Sequence, residues 1–466
     1  MSEKDLILSA LLEKGILVEP EVVGYIVEKG GMNYLPKFIN KFSNRPHVKY
    51  RDIIEPTNLS VRKNTTSHIP KPASEYDWDF KIDMDASVEM RGTGDAIEFK
   101  RLFEDRFRKL SKIISSRVQM QNAVSIARLT EGKAATIGIV SDVSTTRKGS
   151  IIFKLEDLSG EIKCLTRNAE FILNDEVIGV VGKYSESRKM LYVDEIVRPG
   201  CMARGNRKIE EDISVAIISD IHVGSKTFIK GRWEKFLEWL KKGEGEAGKI
   251  KYLLIAGDVV DGIGVYPHQE EELTILDIFE QYEALAEYLN EVPDYIKMVI
   301  IPGNHDLVRN AEPQPALPRE IEKMFNGNVE LLSNPTTFTI HGYRFMMYHG
   351  ASLNNLVELI PGMDYTKTTE IMQYMLDMRH LSPVYGEKVP IVPTPRDYLV
   401  IDTVPDVLIT GHVHIFSYAM YHGVHMVNAS AWQEQTKYQK MMNFNPDPGK
   451  VAILNLKEDR MSVKAF

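Results

Sequence analysis

Five short apolar runs from Ile213 onward each stop abruptly at a polar signature, and this layout restricts the fold more than any other feature. Ile213–Ile218 ends in Ser219-Asp220-Ile221-His222, Tyr252–Ala256 in Gly257-Asp258-Val259-Val260-Asp261, and Met298–Ile301 in Pro302-Gly303-Asn304-His305-Asp306. Phe345–Tyr348 ends in His349-Gly350, and Val407–Thr410 in Gly411-His412-Val413-His414. Short runs of this kind, without polar alternation, are what strands buried on both faces require. In such sheets the ligand site forms beyond the strand ends, so residues remote in sequence converge on one rim.

The side chains gathered at those ends are metal donors. Asp220, His222, Asp258, Asn304, His349, His412 and His414 offer carboxylate, imidazole and amide-carbonyl groups without a thiolate. That set suits two divalent metal ions of borderline-to-hard character, Mn²⁺ first, with Mg²⁺, Fe or Zn²⁺ as other occupants. Seven donors are too many for one ion. The partition they imply is Asp220, His222 and His414 on one metal, Asn304, His349 and His412 on the other, and Asp258 bridging. Two ions about 3.5–4 Å apart activate water and clamp the oxygens of an in-line phosphoryl displacement. His305 is then the catalytic residue that gives a proton to the leaving oxygen or stabilises the charge developing there, with Asp261 and Asp306 as orienting carboxylates.

A lone His in a chain of this size is ordinarily structural, and DxH or GHxH alone is a weak signal. Five signatures in succession are a far stronger one. His268, His341, His380, His422 and His425 lack that context and are read as structural. Met346-Met347 and Met441-Met442 are read as core filler.

The rest of the chain divides by pattern. Residues 1–50 carry short amphipathic segments and are expected to form a small helical module. Residues 51–95 turn polar, with Asn58, Asn64, Thr65, Thr66, Pro70 and Pro72, and are expected to be a flexible linker. Phe99, Leu102, Phe103, Phe107, Leu110, Ile113 and Ile114 have the spacing of a helix with one buried face. Alternating apolar residues between about 120 and 200 predict short strands closing a compact β-barrel. An oligonucleotide-binding (OB) barrel is the natural candidate, although several small barrels share the pattern. The expected domains are therefore 96–205, helix plus barrel, and 206–466.

At 466 residues the chain is long enough for two to four domains with real cores. Its two cysteines, Cys164 and Cys201, exclude a disulfide framework, a Cys-rich zinc finger and an iron–sulfur cluster. The opening Met1-Ser2-Glu3-Lys4-Asp5 begins no signal peptide, and no apolar run approaches the roughly 20 residues of a membrane span. A cytoplasmic protein is expected. The net charge of −8 argues against strong sequence-independent binding of nucleic acid by this chain alone, because that affinity comes from Lys and Arg. Bound cations or a partner would have to supply positive charge.

The five signatures, in this order, resemble the calcineurin-like metallophosphoesterase superfamily. The segments from Gly257 to Pro267, Gly303-Asn304-His305-Asp306 followed by Ala311-Glu312-Pro313-Gln314-Pro315, and Thr394-Pro395-Arg396-Asp397 look like the small subunits of archaeal DNA polymerase D. The resemblance implies an α+β multidomain fold: a small N-terminal helical module, an OB-fold β-barrel and a four-layer αββα phosphoesterase sandwich. It further implies a 3′–5′ exonuclease that proofreads DNA 3′ ends for a separate large catalytic subunit, which the barrel and sandwich together dock. Every metal-ligand position of that pattern is filled here, and His305 stands at the acid position. The other readings are a stand-alone metallophosphatase or phosphodiesterase, and a catalytically silent structural subunit.

Overall fold

The computed structural model describes residues 3–14, 16–18, 20–42, 47–48, 71–89 and 94–466, apart from 203, 204, 206, 208, 442 and 443. Two compact units result, Met1–His68 and Ile69–Phe466. In the first, helices α1 (Glu3–Glu13), α2 (Pro20–Glu28) and α3 (Leu35–Phe42) bury Ile7, Leu11, Val22, Ile26, Leu35 and Phe38. The short strands β1 (Leu17–Val18) and β2 (His47–Val48) pair in parallel.

The second unit opens with β3 (Phe80–Asp85), which pairs antiparallel with β13 (Thr336–Ile340). The linker expected over 51–95 thus gives way to an edge strand: Phe80 tilts against Phe338 at 5.2 Å, and Ala86 N–H donates to Ser333 Oγ. Residues 51–70 lie outside the described residues. Helix α4 (Ala96–Ser115) starts where Asp95 accepts from the Ile97 and Glu98 amides, and it buries Leu102, Arg106, Leu110 and Ile114 at helical spacing. Strands β4 (Gly132–Thr145), β5 (Ile151–Asp157), β6 (Gly160–Thr166), β7 (Val177–Ser185) and β8 (Met190–Val197) close a barrel in the order β4-β5-β6-β8-β7. Phe153, Leu155, Cys164, Ile178, Val180 and Leu191 fill it, as the alternation required.

Two six-stranded sheets follow. The first has the order β12-β11-β10-β9-β18-β19, from β9 (Ser214–Ile218), β10 (Ile250–Ala256), β11 (Lys297–Ile301), β12 (Val329–Leu331), β18 (Lys450–Asn455) and β19 (Arg460–Ala465). The second has the order β16-β17-β15-β14-β13-β3, with β14 (Tyr343–Met347), β15 (Val407–Thr410), β16 (Ser417–Tyr421) and β17 (Val424–Asn428). Their facing sides share one core, including Val215, Leu254, Val299, Phe345, Ile409 and Val427. The outer side of the first sheet packs on α5 (Lys230–Lys242), α6 (Ile278–Leu289) and the short α7 (Arg319–Glu322) through Trp233, Phe236, Tyr282, Leu285 and Ile321. The outer side of the second packs on α8 (Leu353–Leu359) and α9 (Thr368–Met378) through Leu353, Leu356, Met372 and Met375. Helix, sheet, sheet and helix therefore form four layers, and the central strands are buried on both faces. Met346 and Met347 are core residues as expected, but Met441 is 84% exposed, and Met442 lies outside the described residues.

α4 and the barrel do not form a compact unit apart from the sandwich. Arg106 on α4 places Nε 2.7 Å from Asp397 Oδ2, and Nη1 donates to the carbonyls of Pro383 and Asp175. His380 Nε2 donates to the same Asp397 oxygen at 3.0 Å. The Thr394-Pro395-Arg396-Asp397 segment, singled out in the sequence, thus holds α4 through its buried Asp397.

Candidate metal centre

Register brings the polar signatures together. In the first sheet Ile218, Ile255 and Ile300 lie side by side on parallel strands, and in the second Met347, Ile409 and Val427 do. The chain leaves each of these strands at the same rim. Asp220, His222, Asp258, His349 and His414 are buried there, and Asn304, His305 and His412 are half-buried at the edge.

Two groups of donors converge. Asp220, His222 and His414 form one; Asp258, His349 and His412 form the other, each with its donor atoms within 4.8 Å of one another. Asn304 Oδ1 lies 3.2 Å from His349 Nε2, beside the second group. His349 Nε2 is 3.2 Å from Asp258 Oδ2, while His222 Nε2 is 3.9 Å from that same oxygen, so Asp258 sits between the groups. All seven predicted donors are brought into one bowl.

The backbone is strained there. Asp220, His222, Asp258, His412 and His414 have φ of 52°, 55°, 50°, 70° and 55°, a region that costs a non-glycine residue about 1 kcal/mol or more. Asp220 and Asp258 orient so because their carboxylates cap neighbouring loops: Asp220 Oδ2 accepts from His412 N–H and Asp258 Oδ1 from His305 N–H. Gly411 permits this approach, since a Cβ there would meet Asp220 Oδ2 at 2.6 Å.

Hydrogen bonds select the imidazole atoms that face the bowl. His222 Nδ1–H donates to Asp261 Oδ1 at 2.9 Å, which leaves Nε2 with its lone pair directed inward. His349 Nδ1–H donates to the Ala256 carbonyl at 2.7 Å, which turns Nε2 into the bowl, where it faces Asp258 Oδ2 and Asn304 Oδ1 at 3.2 Å. His305 Nδ1–H donates to the Asp261 carbonyl at 2.7 Å, and its ring lies edge-on to His222 at 4.7 Å. Asp306 accepts from the Gly303 amide at 2.8 Å and from Tyr282 Oη at 3.0 Å, tying the loop after β11 down.

Electrostatics define what is missing from this arrangement. Asp220 and Asp258 are buried, and among the described residues no Lys or Arg pairs with either. Asp220 Oδ1 accepts no hydrogen bond, although His414 Nε2 is 3.3 Å away without the alignment of one. A buried carboxylate left so costs several kcal/mol unless a cation meets it. Burial raises the Asp258 carboxyl, but His349, His305 and His222 outweigh it and hold the group well below the usual range. Burial works to lower His349, yet Asp258 and Asp220 lift it to about 10. Burial, then Asp258, pushes Asp306 up to about 7. The oxygen and nitrogen donors, the orphaned Asp220 Oδ1 and the imidazole nitrogens turned into the bowl fit divalent cations.

Several supporting residues escaped the sequence reading. Gln433 donates to Asp261 Oδ1 at 3.0 Å and to Ser225 Oγ at 2.9 Å, and Gln269 donates to the Asp261 carbonyl. Asn354 Nδ2 donates to His412 Nε2, and Gln439 Nε2 to His414 Nδ1. The signal for Gln433 was a sixth strand end, since β17 runs out in Asn428-Ala429-Ser430-Ala431-Trp432-Gln433. Asn354 and Gln439 sit on helices α8 and α10 (Lys437–Met441) with no local pattern to mark them. The Glu312–Pro315 segment also reaches the site, because Gln314 bonds the Gly303 carbonyl and accepts from Asn334, which in turn accepts from His349 N–H. Asp261→Asn is expected to turn His222 and weaken Mn²⁺ binding about 10–100-fold, read by calorimetric titration of the metal-stripped chain.

Comparison with known proteins decides the family. A family model for the B-type subunits of DNA polymerases alpha and epsilon matches residues 215–417. The DNA polymerase II small subunit of Thermoplasma acidophilum is 40% identical over 464 residues, covering 97% of this chain and 91% of that protein. The chain belongs to the archaeal DNA polymerase II small-subunit family. The Archaeoglobus fulgidus member is 40% identical, covering 92% of this chain and 87% of its own length. Among solved structures, an archaeal phosphodiesterase aligns with TM-score 0.29 and 14% identity over 55% of this chain and 100% of its own. Vps29 of Entamoeba histolytica, complexed with Zn²⁺, aligns with TM-score 0.25 and 17% identity over 55% of this chain and 98% of its own.

Proposed function

We propose that this chain is the dimetal 3′–5′ exonuclease subunit of a family D replicative polymerase. It hydrolyses phosphodiester bonds at single-stranded or mismatched DNA 3′ ends and serves as scaffold for the large catalytic subunit. The observation that carries this reading is the pair of donor groups, facing each other across Asp258 with two buried carboxylates and, among the described residues, no Lys or Arg to neutralise them.

Asp220, His222 and His414 would hold one cation, Asn304, His349 and His412 the other, and Asp258 both. Such a pair, Mn²⁺ by preference, supplies an activated water and charge stabilisation for in-line displacement at phosphorus. Asp261 keeps the His222 lone pair inward. Asp306 and the Gly303 amide fix the loop that carries Asn304 and His305. Burial lowers His305, but Asp258 and Asp261 more than offset it, so the ring is protonated more readily than usual. With Nδ1 engaged by the Asp261 carbonyl, Nε2–H is the proton that His305 offers to the departing 3′ oxygen.

We read the closed barrel as an OB fold, because five strands in its order β4-β5-β6-β8-β7 have that connectivity. Together with the sandwich it is the docking surface for the large subunit, a reading supported by the exposed Val118, Leu158 and Met202. We take residues 1–50 as a separate recruitment module.

The test is the product: the metal-loaded chain, alone and with its large subunit, should release mononucleotides from a single-stranded 3′ end and remove a mismatched primer terminus faster than a matched one. Turnover of phosphomonoesters alone would favour a phosphatase. Cation loading also has a pH signature. His349 carries a proton at neutral pH in the cation-free site and must lose it to become a ligand. Mn²⁺ affinity should therefore rise about tenfold from pH 6.5 to 7.5, and calorimetry in two buffers should show proton release. Equal affinity at both pH values would contradict this.

A further inference from the structure

The acidic balance of the chain leaves open where a DNA strand finds positive charge on it. One stretch departs from that balance: between Lys226 and Lys235 stand Lys226, Lys230, Arg232 and Lys235 against a single carboxylate, Glu234. These cations line a groove of about 530 Å³, with the half-buried Phe228 in its wall and Glu434 at its rim. Among the described residues, Lys230 is the one of these four with an ion pair, to Glu234 at 3.7 Å. Lys226 and Arg232 use backbone carbonyls instead, of Glu271 and Pro448. A carbonyl does not neutralise an ammonium or a guanidinium, so the groove keeps its charge.

The groove adjoins the metal centre through the loop that bears His222. Ser225 receives the Gln433 amide at 2.9 Å, Gln433 also meets Asp261 Oδ1 at 3.0 Å, and Asp261 holds His222. Phe228 bridges to Gln433, and Glu434 N–H donates to the Thr227 carbonyl. A cationic trough with an aromatic wall is the arrangement that takes a single strand, with phosphates on the cations and a base against the ring.

We propose that this groove seats the phosphates of the single-stranded DNA whose 3′ end enters the bowl. The inference rests on the exonuclease reading, and its test is kept separate from it. Anisotropy of a labelled 12-nucleotide oligothymidylate is followed in EDTA at low salt, on the full chain and on the triple variant Lys226→Glu, Lys230→Glu, Lys235→Glu. The variant should bind at least about tenfold more weakly, with a log K against log salt slope shallower by about 2, as three lost phosphate contacts require. The same reversal at the exposed Lys100 and Lys112 on α4 should leave affinity unchanged. Unaltered affinity and slope in the triple variant would overturn the proposal, as would equal losses in the α4 control. Competition by inorganic phosphate in place of the oligonucleotide, at similar concentration, would also overturn it by making the groove a free-phosphate site. Absence of nuclease activity in the metal-loaded wild-type chain would remove the exonuclease reading and leave the groove result standing.

Discussion

Asp258→Ala is expected to abolish the proposed 3′-end hydrolysis, by about 10³-fold or more, while the chain still folds. The size follows from position: Asp258 is the carboxylate that faces both donor groups, 3.2 Å from His349 and 3.9 Å from His222. Losing the ligand shared by both cations takes apart the pair that would activate water and stabilise the charge formed at phosphorus, so the loss falls on turnover. Asp258→Asn should fall nearly as far, because an amide keeps the shape but loses the charge, and far-ultraviolet circular dichroism of both variants checks the fold. His305→Gln provides the contrast. It should lower turnover about 10²–10⁴-fold and leave Mn²⁺ binding unchanged, as the proposal that its ring gives a proton and holds no cation requires. If Asp258→Ala retained activity within tenfold, the bridging role would be untenable.

The second large effect is on stability. Arg106 and Asp397 are each 1% exposed at the side chain and bonded at 2.7 Å, so Arg106→Met or Asp397→Ala leaves a buried charge without its partner. Such a loss costs about 3–5 kcal/mol. The double change, Arg106→Met with Asp397→Leu, should recover much of it, because two apolar groups replace the pair; urea unfolding of the three variants measures this. His380 adds an acid sensitivity. Burial, then Arg106, lowers its ring to about 4 against the pull of Asp397. An unfolded His titrates near 6.5, so the unfolded chain binds more protons between about 4 and 6.5 and stability falls as pH falls through that window, by roughly 3 kcal/mol. Asp397, which Arg106 and His380 hold below the usual carboxylate range against burial, loses its contribution only at lower pH. His380→Asn should flatten the decline between pH 6.5 and 4.5, and an unchanged pH profile would contradict the assignment.

The bowl of donors was legible because they follow short apolar runs of the kind that central strands require. Parallel register then fixes where the chain leaves the sheet, and seven donors land together without any long-range contact having to be known. The α4 helix was equally open to reading, from Phe99 to Ile114 at helical spacing. β3 was not. Its sequence, Phe-Lys-Ile-Asp-Met-Asp, sits in a polar stretch, and it is a strand because β13 offers it an edge, which is a tertiary fact. Gln433, Asn354 and Gln439 escaped for a related reason, since a neutral amide acquires its role from the imidazole or carboxylate it meets. Arg106 looked like one more polar residue of an amphipathic helix, and only the distant Asp397 makes it a core residue.

The central claim is that one bowl holds two cations across a shared carboxylate, and counting them tests it most directly. The chain is stripped with a chelator, titrated with Mn²⁺ and followed by electron paramagnetic resonance alongside calorimetry. Two ions per chain with the multiline signal of an exchange-coupled pair are predicted, with coupling lost in Asp258→Ala. One ion, none, or two magnetically isolated ions in the wild-type chain would contradict it.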